Sequence, residues 1–402
     1  MPYRSSSIPL TLVVALAAAM MLGPFSLDTY LPAFPAIAQD LGVSSQAVAV
    51  SVSVYIFFLA IGQLIGGPLS DQLGRKPVLF AGLGLFALAS ALLVYLHTLP
   101  HFLAGRALQA VGAGWVLVSV PAMVRDRVSG QEAAKLFSLL GLILVAAPAI
   151  APSVGSLLLK VGPWMGIFVF MAAYALLLIP VLLMVLAGDT VGAPAAKAAT
   201  TQPRPGLLRA YGAVFATRPA LVYLLWQVGA FSVMMVFITH SSFIYQNHFG
   251  RSADTFALMF GANIVAMFSC NLFNRFLLTR GFSSIAILRG ATALQGVGLL
   301  CLVICALMHG SIWVFLPAMM LTIGAHGALS PNLQACYMEH FPHNGGAAAA
   351  LLGAFQFGGA GVMSALSGLL PHTLPVVMLA MLACGAMAQG CLWFSLHRRR
   401  GA

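Results

Sequence analysis

Apolar runs of membrane-spanning length follow one another from Ile8 to Leu396, broken by short polar turns. About 20 apolar residues in a helix cross the hydrocarbon core, where every backbone polar group must be satisfied within the segment. The runs predict about twelve spans, at 8–38, 45–69, 77–97, 101–124, 132–158, 164–187, 217–246, 254–278, 284–308, 311–337, 346–370 and 374–397. Only 7% of the residues are charged, whereas a soluble domain carries roughly a quarter, so the solvent of this chain is lipid. A closed barrel needs short alternating segments, and the sequence has none. Arg4 precedes an apolar stretch containing small residues, as in a signal peptide. That stretch runs on through Pro24 to Ile37 without a cleavage pattern, so it reads as a span. The expected fold class is an all-α membrane protein.

The net charge of +11 is a topology signal. Sixteen of the nineteen Lys and Arg residues lie in the even-numbered turns or at the two termini. Lys160 and Arg251 are the cations of the odd-numbered turns, and Arg106 falls inside a span. Cationic turns stay on the cytoplasmic side, which places both termini there and argues against nucleic acid as a partner. The six cysteines all fall within spans, without ligand spacing or histidine partners, so no metal site is expected.

The longest interruption, 188–219, is rich in Ala, Pro and Thr, as in a flexible linker. It divides the chain into a six-helix half at 1–187, a cytoplasmic linker at 188–216 and a second six-helix half at 217–402. VGAG at 111–114 is echoed by IGAHG at 323–327, and GSLL at 155–158 by SGLL at 367–370. Paired halves of this kind suit a transporter that rocks about a midplane site.

The sharpest local pattern is GGPLSDQLGRKPVL at 66–79, in the turn after the second span. Gly67 and Gly74 allow close backbone approach or a tight turn, and Asp71 lies one helical turn before Arg75. The pattern resembles the cytoplasmic signature of the major facilitator superfamily, G-x-x-x-D-x-x-G-R-[RK]. With it placed, SLDTYLPAFPAIAQDLG at 26–42 is similar to the first span of the Bcr/CflA branch, the bicyclomycin and chloramphenicol resistance exporters. GRALQAVGAG at 105–114 resembles the superfamily's fourth-span motif at Arg106, Gln109, Ala110 and Gly112. APAIAPSVGS at 147–156 resembles the antiporter motif G-P-x-x-G-G through Pro148, Pro152 and Gly155, with Ala151 and Ser156 where glycines are usual. The second half keeps only NRFLLTRGF (274–282) of the cytoplasmic signature. The resemblance implies a major facilitator fold, a bacterial inner-membrane location, a monomer and drug:proton antiport without a bound cofactor.

Eight acidic residues are present, and seven sit at span ends. Asp28 alone lies well inside a span, roughly 16 Å from the outer end at about 1.5 Å per residue. Intramembrane acids generally face a cavity and mark ion or proton pathways, so Asp28 is the candidate proton carrier. Arg106 is the candidate partner cation, about five residues inside the fourth span. Its counterpart through the IGAHG echo is Ala318, so the charge is not a symmetric structural feature. Snorkelling to the interface is the alternative reading of Arg106. In the resembled antiporters both positions belong to the proton-coupling machinery.

Candidate cavity residues are Tyr30, Tyr55, Gln109, Gln227, Met234, Asn263, His326 and Gln356, any of which can equally bridge helices. His326 titrates near neutrality in an ordinary setting and is the secondary proton candidate. A cytoplasmic gate is expected at Gly67, Asp71, Gly74 and Arg75, with Asp126 as a partner for Arg75. The chain contains no HExxH, no paired deep carboxylates and no phosphate-binding loop, which disfavours an enzyme or an ATP-driven pump. The expected partners are protons, lipid and a small-molecule solute. Export of amphipathic drugs and import of a nucleoside or other small solute share this machinery.

Overall fold

The computed structural model describes residues 10–126, 148, 150–187, 212, 214–341 and 345–397. All regular structure among them is helical. In the first half, α1 (Leu10–Asp28) leads through a 3-10 turn (Leu31–Ala33) into α2 (Phe34–Asp40). There follow α3 (Ser45–Leu73), α4 (Arg75–Leu93), α5 (Leu99–Arg125), α6 (Ile150–Val161) and α7 (Met165–Val185). The second half holds α8 (Arg218–Ser242), which continues as a π-helical turn (Phe243–His248), and then α9 (Ala253–Thr279) and α10 (Ser284–Leu307). It closes with α11 (Ile312–Met338), α12 (Gly345–Gly368) and α13 (Leu374–His397). Ten runs are long and apolar enough to span a bilayer unaided. With α6 and α12 they occupy the twelve places expected from the sequence. The first part of the fifth span and most of the linker lie outside the described residues.

The first span corrects the expectation of one unbroken helix over 8–38. Helical geometry stops at Asp28 and resumes at Phe34. Pro32 and Pro35 bring no N–H to the helix ladder and disfavour helical backbone in the residues before them, which accounts for the interruption. The deepest carboxylate therefore stands at a helix C-terminus beside a break.

Helix starts follow serine caps. Ser44, Ser252 and Ser283 accept from the amides of Ala47, Thr255 and Ala286 at 3.2, 3.3 and 3.4 Å. Between α3 and α4 the chain turns at Gly74 with φ +99°, a left-handed conformation that only glycine adopts without strain. Gly67 differs from expectation: a methyl group there would meet nothing within 4 Å, so no close approach in this structure requires it.

Packing repeats between the halves. In the first half α5 packs broadly on α3 and α4, and in the second α11 packs on α9 and α10. The echoed motifs sit in these contacts, Gly114 against the Leu59 carbonyl and Gly327 against the Met267 carbonyl. Small residues at such crossings let helices approach closely where lipid gives no hydrophobic drive to associate. Between the halves, α3 lies along α12 and touches α8.

Candidate functional site

Arg106, about two turns into α5, is fully buried, which excludes the snorkelling alternative. Removing a guanidinium from water costs several kcal/mol, roughly, unless its surroundings replace the lost hydration. Its neighbours do so. Its Nη1 donates to Gln109 Oε1, one turn along α5, and its Nη2 donates to the Ser26 carbonyl at 3.3 Å. The guanidinium carbon lies 4.2 Å from the ring centre of Tyr30 and 4.3 Å from that of Tyr55. Phe168 of α7 closes the cage at 5.9 Å.

Each wall of the cage is itself held. Tyr55 accepts from Ser26 Oγ at 2.6 Å and donates to the Gly23 carbonyl at 3.2 Å. Tyr30 shares a 2.8 Å hydrogen bond with Ser51. Gln109 donates to Ser90 Oγ at 2.7 Å. A desolvated cation over an aromatic face gains about 2 kcal/mol. Tyr55→Leu is therefore expected to lower the thermal unfolding midpoint in detergent by several degrees more than Tyr55→Phe, which keeps the ring and loses only the hydroxyl. Equal midpoints would remove the ring face from the account.

Asp28 is 1% exposed, and its Oδ1 has no hydrogen-bond partner. It forms no ion pair with Arg106. Both tyrosines are nonetheless within electrostatic reach of Asp28 and Arg106 alike. Arg106 keeps its Nε unpartnered. The deep acid and the deep cation thus both act on the same two tyrosines without pairing, each with open bonding capacity. Buried polar atoms are normally satisfied, and unsatisfied ones cluster where a protein binds or reacts.

The helix carrying the antiporter-like motif lies against the break in the first span. Pro152 and Gly155 are buried on α6, and Pro148 is helical and half-buried just before it. A Cβ at Gly155 would overlap the Thr29 carbonyl oxygen, so α6 touches the chain at the residue after Asp28.

The candidate cavity residues separate into two groups. Tyr30, Tyr55 and Gln109 are fully buried and build the Arg106 cage, in line with the helix-bridging alternative. Asn263 also bridges, donating to Tyr245 Oη at 3.1 Å and to the Met259 carbonyl at 2.8 Å. In the second half, Phe231 packs against His326 at 5.6 Å and Phe357 at 5.2 Å between ring centres. His326 Nδ1 and Gln227 Oε1 have no partner there. Met234 and Gln356 are half-buried. A separate cavity of about 430 Å³ lies at the far end of the second half, lined by Tyr223, Trp226, Arg289, Glu339 and His340, and holds none of the candidates.

At the end of the bundle that carries Arg75, its Nε donates to Asp126 Oδ2 at 3.1 Å and its Nη1 to Ser70 Oγ at 3.3 Å. Lys76 donates to the Leu186 carbonyl at 3.0 Å. These bonds join α3, α4, α5 and the end of α7 within the first half. Asp71 lies on α3, its side chain outside the described residues. At the opposite end, the halves are joined directly. Asp254 of α9 takes a 2.7 Å ion pair from Lys160 and a hydrogen bond from Ser156, both on α6. Gln46 of α3 donates to the Gly368 and Leu370 carbonyls at 2.9 and 3.0 Å, and Ser53 meets Ser364 at 2.8 Å.

Sequence reasoning missed Ser26, Ser51, Ser90 and Phe168, which hold or close the cage. Ser26 stands inside the quoted SLDTY stretch and was within reach. The others are ordinary span residues whose relevance comes only from helix packing.

The chain matches the family model described as Major Facilitator Superfamily over residues 16–364. It is 27% identical over 388 residues to the bicyclomycin resistance protein homolog of Haemophilus influenzae, covering 96% of both chains. It is 29% identical to multidrug resistance protein D of Escherichia coli, covering 92% of this chain and 91% of that one. Its fold matches the crystal structure of a D-xylose-proton symporter with a TM-score of 0.80 at 14% identity, over 96% of this chain and 98% of that one. The twelve-place helical bundle, its repeated packing and these matches place the chain in the Major Facilitator Superfamily, as a membrane transporter and not an enzyme.

Proposed function

We propose that this chain exports small amphipathic drugs or metabolites in exchange for protons, by alternating access across a bacterial inner membrane. The supporting observation is Asp28, buried at the break of the first span with an unpartnered oxygen beside a tyrosine-caged arginine. The relatives' names, bicyclomycin resistance and multidrug resistance, support drug export. The proton gradient is the energy source in this reading, no cofactor is required, and the monomer is the working unit.

The cation distribution orients the molecule with its termini and the Arg75 end in the cytoplasm. The Asp254 end then faces outward, and the bonds across it describe a carrier closed to the outside. A substrate arriving from the cytoplasm meets Asp28 and Arg106 from within. Proton and substrate weaken each other's binding by one common factor, whichever binds first. Arg106, held by neutral rings instead of a carboxylate, leaves Asp28 free to gain and lose its proton without breaking an ion pair.

Everted vesicles with an acid interior test the exchange. Adding bicyclomycin or a phenicol outside should dissipate the pH gradient as drug enters and protons leave. A drug that leaves the lumen together with protons would instead identify an importer.

In this reading the Arg75–Asp126 pair is the latch of the outward-facing state, and it is formed here as well, with the outer side closed. Both side chains are partly exposed, so the pair contributes at most about 1 kcal/mol to stability. Asp126→Asn should therefore leave the unfolding midpoint nearly unchanged and slow transport several-fold by shifting the balance of states. Unchanged transport would remove the latch, and Asp71→Asn tests the same turn from α3.

A further inference from the structure

A second group of titratable side chains lies at the Asp254 end, far along the chain from Asp28. His240, near the end of α8, is fully buried, and its ring sits edge-on to His372 with centres 4.8 Å apart. His372 belongs to the turn between α12 and α13 and also packs on Phe243 at 4.9 Å. The hydroxyl of Ser367 is committed as a donor to the Ser364 carbonyl at 2.7 Å. It therefore accepts from His240, and the 3.0 Å bond between them fixes His240 with its proton on Nε2. That leaves a lone pair on His240 Nδ1, which has no partner, and His372 Nε2 is likewise buried without one.

Among the described residues, the surroundings supply no compensating anion. His240 faces His372. Beyond Phe243 lies His248, with ring centres 6.4 Å apart, and His248 is in turn within electrostatic reach of His309. The carboxylates at this end are engaged elsewhere, Asp40 near His97 and Asp254 with Lys160.

The pair adjoins the bonds that join the two halves. Ser367 is followed by Gly368 and Leu370, whose carbonyls both accept from Gln46 of the first half, and His372 stands two residues further on. We propose that His240 and His372 form a second proton-binding site that releases this contact: protonation of both rings displaces the 369–373 turn and frees Gln46. With a proton on Nδ1 of His240, a second proton on His372 sets two imidazoliums 4.8 Å apart, a like-charge contact relieved when one ring moves away. His372 is the ring free to move, because it sits in a turn while His240 is fixed in a helix.

The sign follows from burial. Burial holds the His372 pKa below its ordinary 6.5 while the turn is packed. Once the turn lifts, the ring regains water and an ordinary affinity for protons. Acid therefore favours the open form, and the closed contact is strongest above about pH 6.5, the ordinary histidine range. On the outer side, this device opens the carrier where protons are abundant. The inference concerns the contact between halves and holds whichever direction transport takes.

The test is a distance measurement between spin labels at Tyr95 and Met308, exposed residues at this end of the two halves, in the full-length protein in nanodiscs with its native cysteines replaced. Between pH 8 and pH 5 the wild-type distance distribution should shift to a longer population. His372→Asn and His240→Gln should each hold the short population throughout, and Gln46→Ala should show the long one already at pH 8. Asp28→Asn and Asp254→Asn should retain the pH response, which separates this site from the central carboxyl and from the Lys160 pair. No shift in the wild type, a shift that survives both histidine replacements, or a shift abolished by Asp28→Asn or Asp254→Asn would overturn the proposal.

Discussion

Replacing Asp28 by Asn is expected to reduce pH-gradient-driven drug export to the background of vesicles lacking the protein, while the purified variant unfolds within a few degrees of the wild type. The side chain makes no ion pair, and its Oδ1 has no hydrogen bond to lose. The amide is of the same size and uncharged, so the packing around this buried position survives. What disappears is the ability to alternate between charged and neutral forms, the only difference between the two side chains that a proton gradient can use. Asp28→Glu should keep part of the activity, because the acid remains and its carboxyl moves by about one methylene, about 1.5 Å. Robust gradient-driven export by the Asn variant, measured in everted vesicles, would assign the proton to another group, with His326 next in line.

Gly155→Val carries the second large effect. At this position α6 lies directly on the Thr29 carbonyl, leaving no room for even one added carbon. The obstruction is backbone and cannot rotate aside as a side chain would. Inserting carbons into a packed contact costs about 1–3 kcal/mol, and here the displaced element is the break that carries Asp28 and Tyr30. Export should fall at least ten-fold, with the unfolding midpoint lowered by several degrees. Gly67→Ala serves as a stability control, since a first added carbon there on α3 meets nothing within 4 Å and the midpoint should not fall. Equal midpoints and transport for the two variants would show that α6 does not position the first span.

The spans were legible because apolar length is a local property, and the carboxylate at Asp28 stood out because every other acid lies at a span end. The break after Asp28 was also written in the chain, as Pro32 and Pro35, but a run of apolar residues reads as continuous when hydropathy alone is followed. The Arg106 cage was not legible. Its walls, Tyr30, Tyr55 and Phe168, come from the first-span break, α3 and α7, and an arginine five residues inside a span looks the same whether it reaches the interface or turns inward. The Arg75–Asp126 contact was anticipated because Arg75 opens the third span and Asp126 closes the fourth on the same side. The pairing of Asp254 with Lys160 and Ser156 needed the packing of α6 on α9, which no local pattern encodes.

The most direct test of the central claim is proton release on drug addition. Purified transporter in weakly buffered detergent, with a pH-sensitive dye, should acidify the solution when a transported drug is added at a pH where Asp28 is protonated in the free protein. Asp28→Asn should give no release while still binding the drug in a parallel titration. Equal release from wild type and Asp28→Asn would contradict the account.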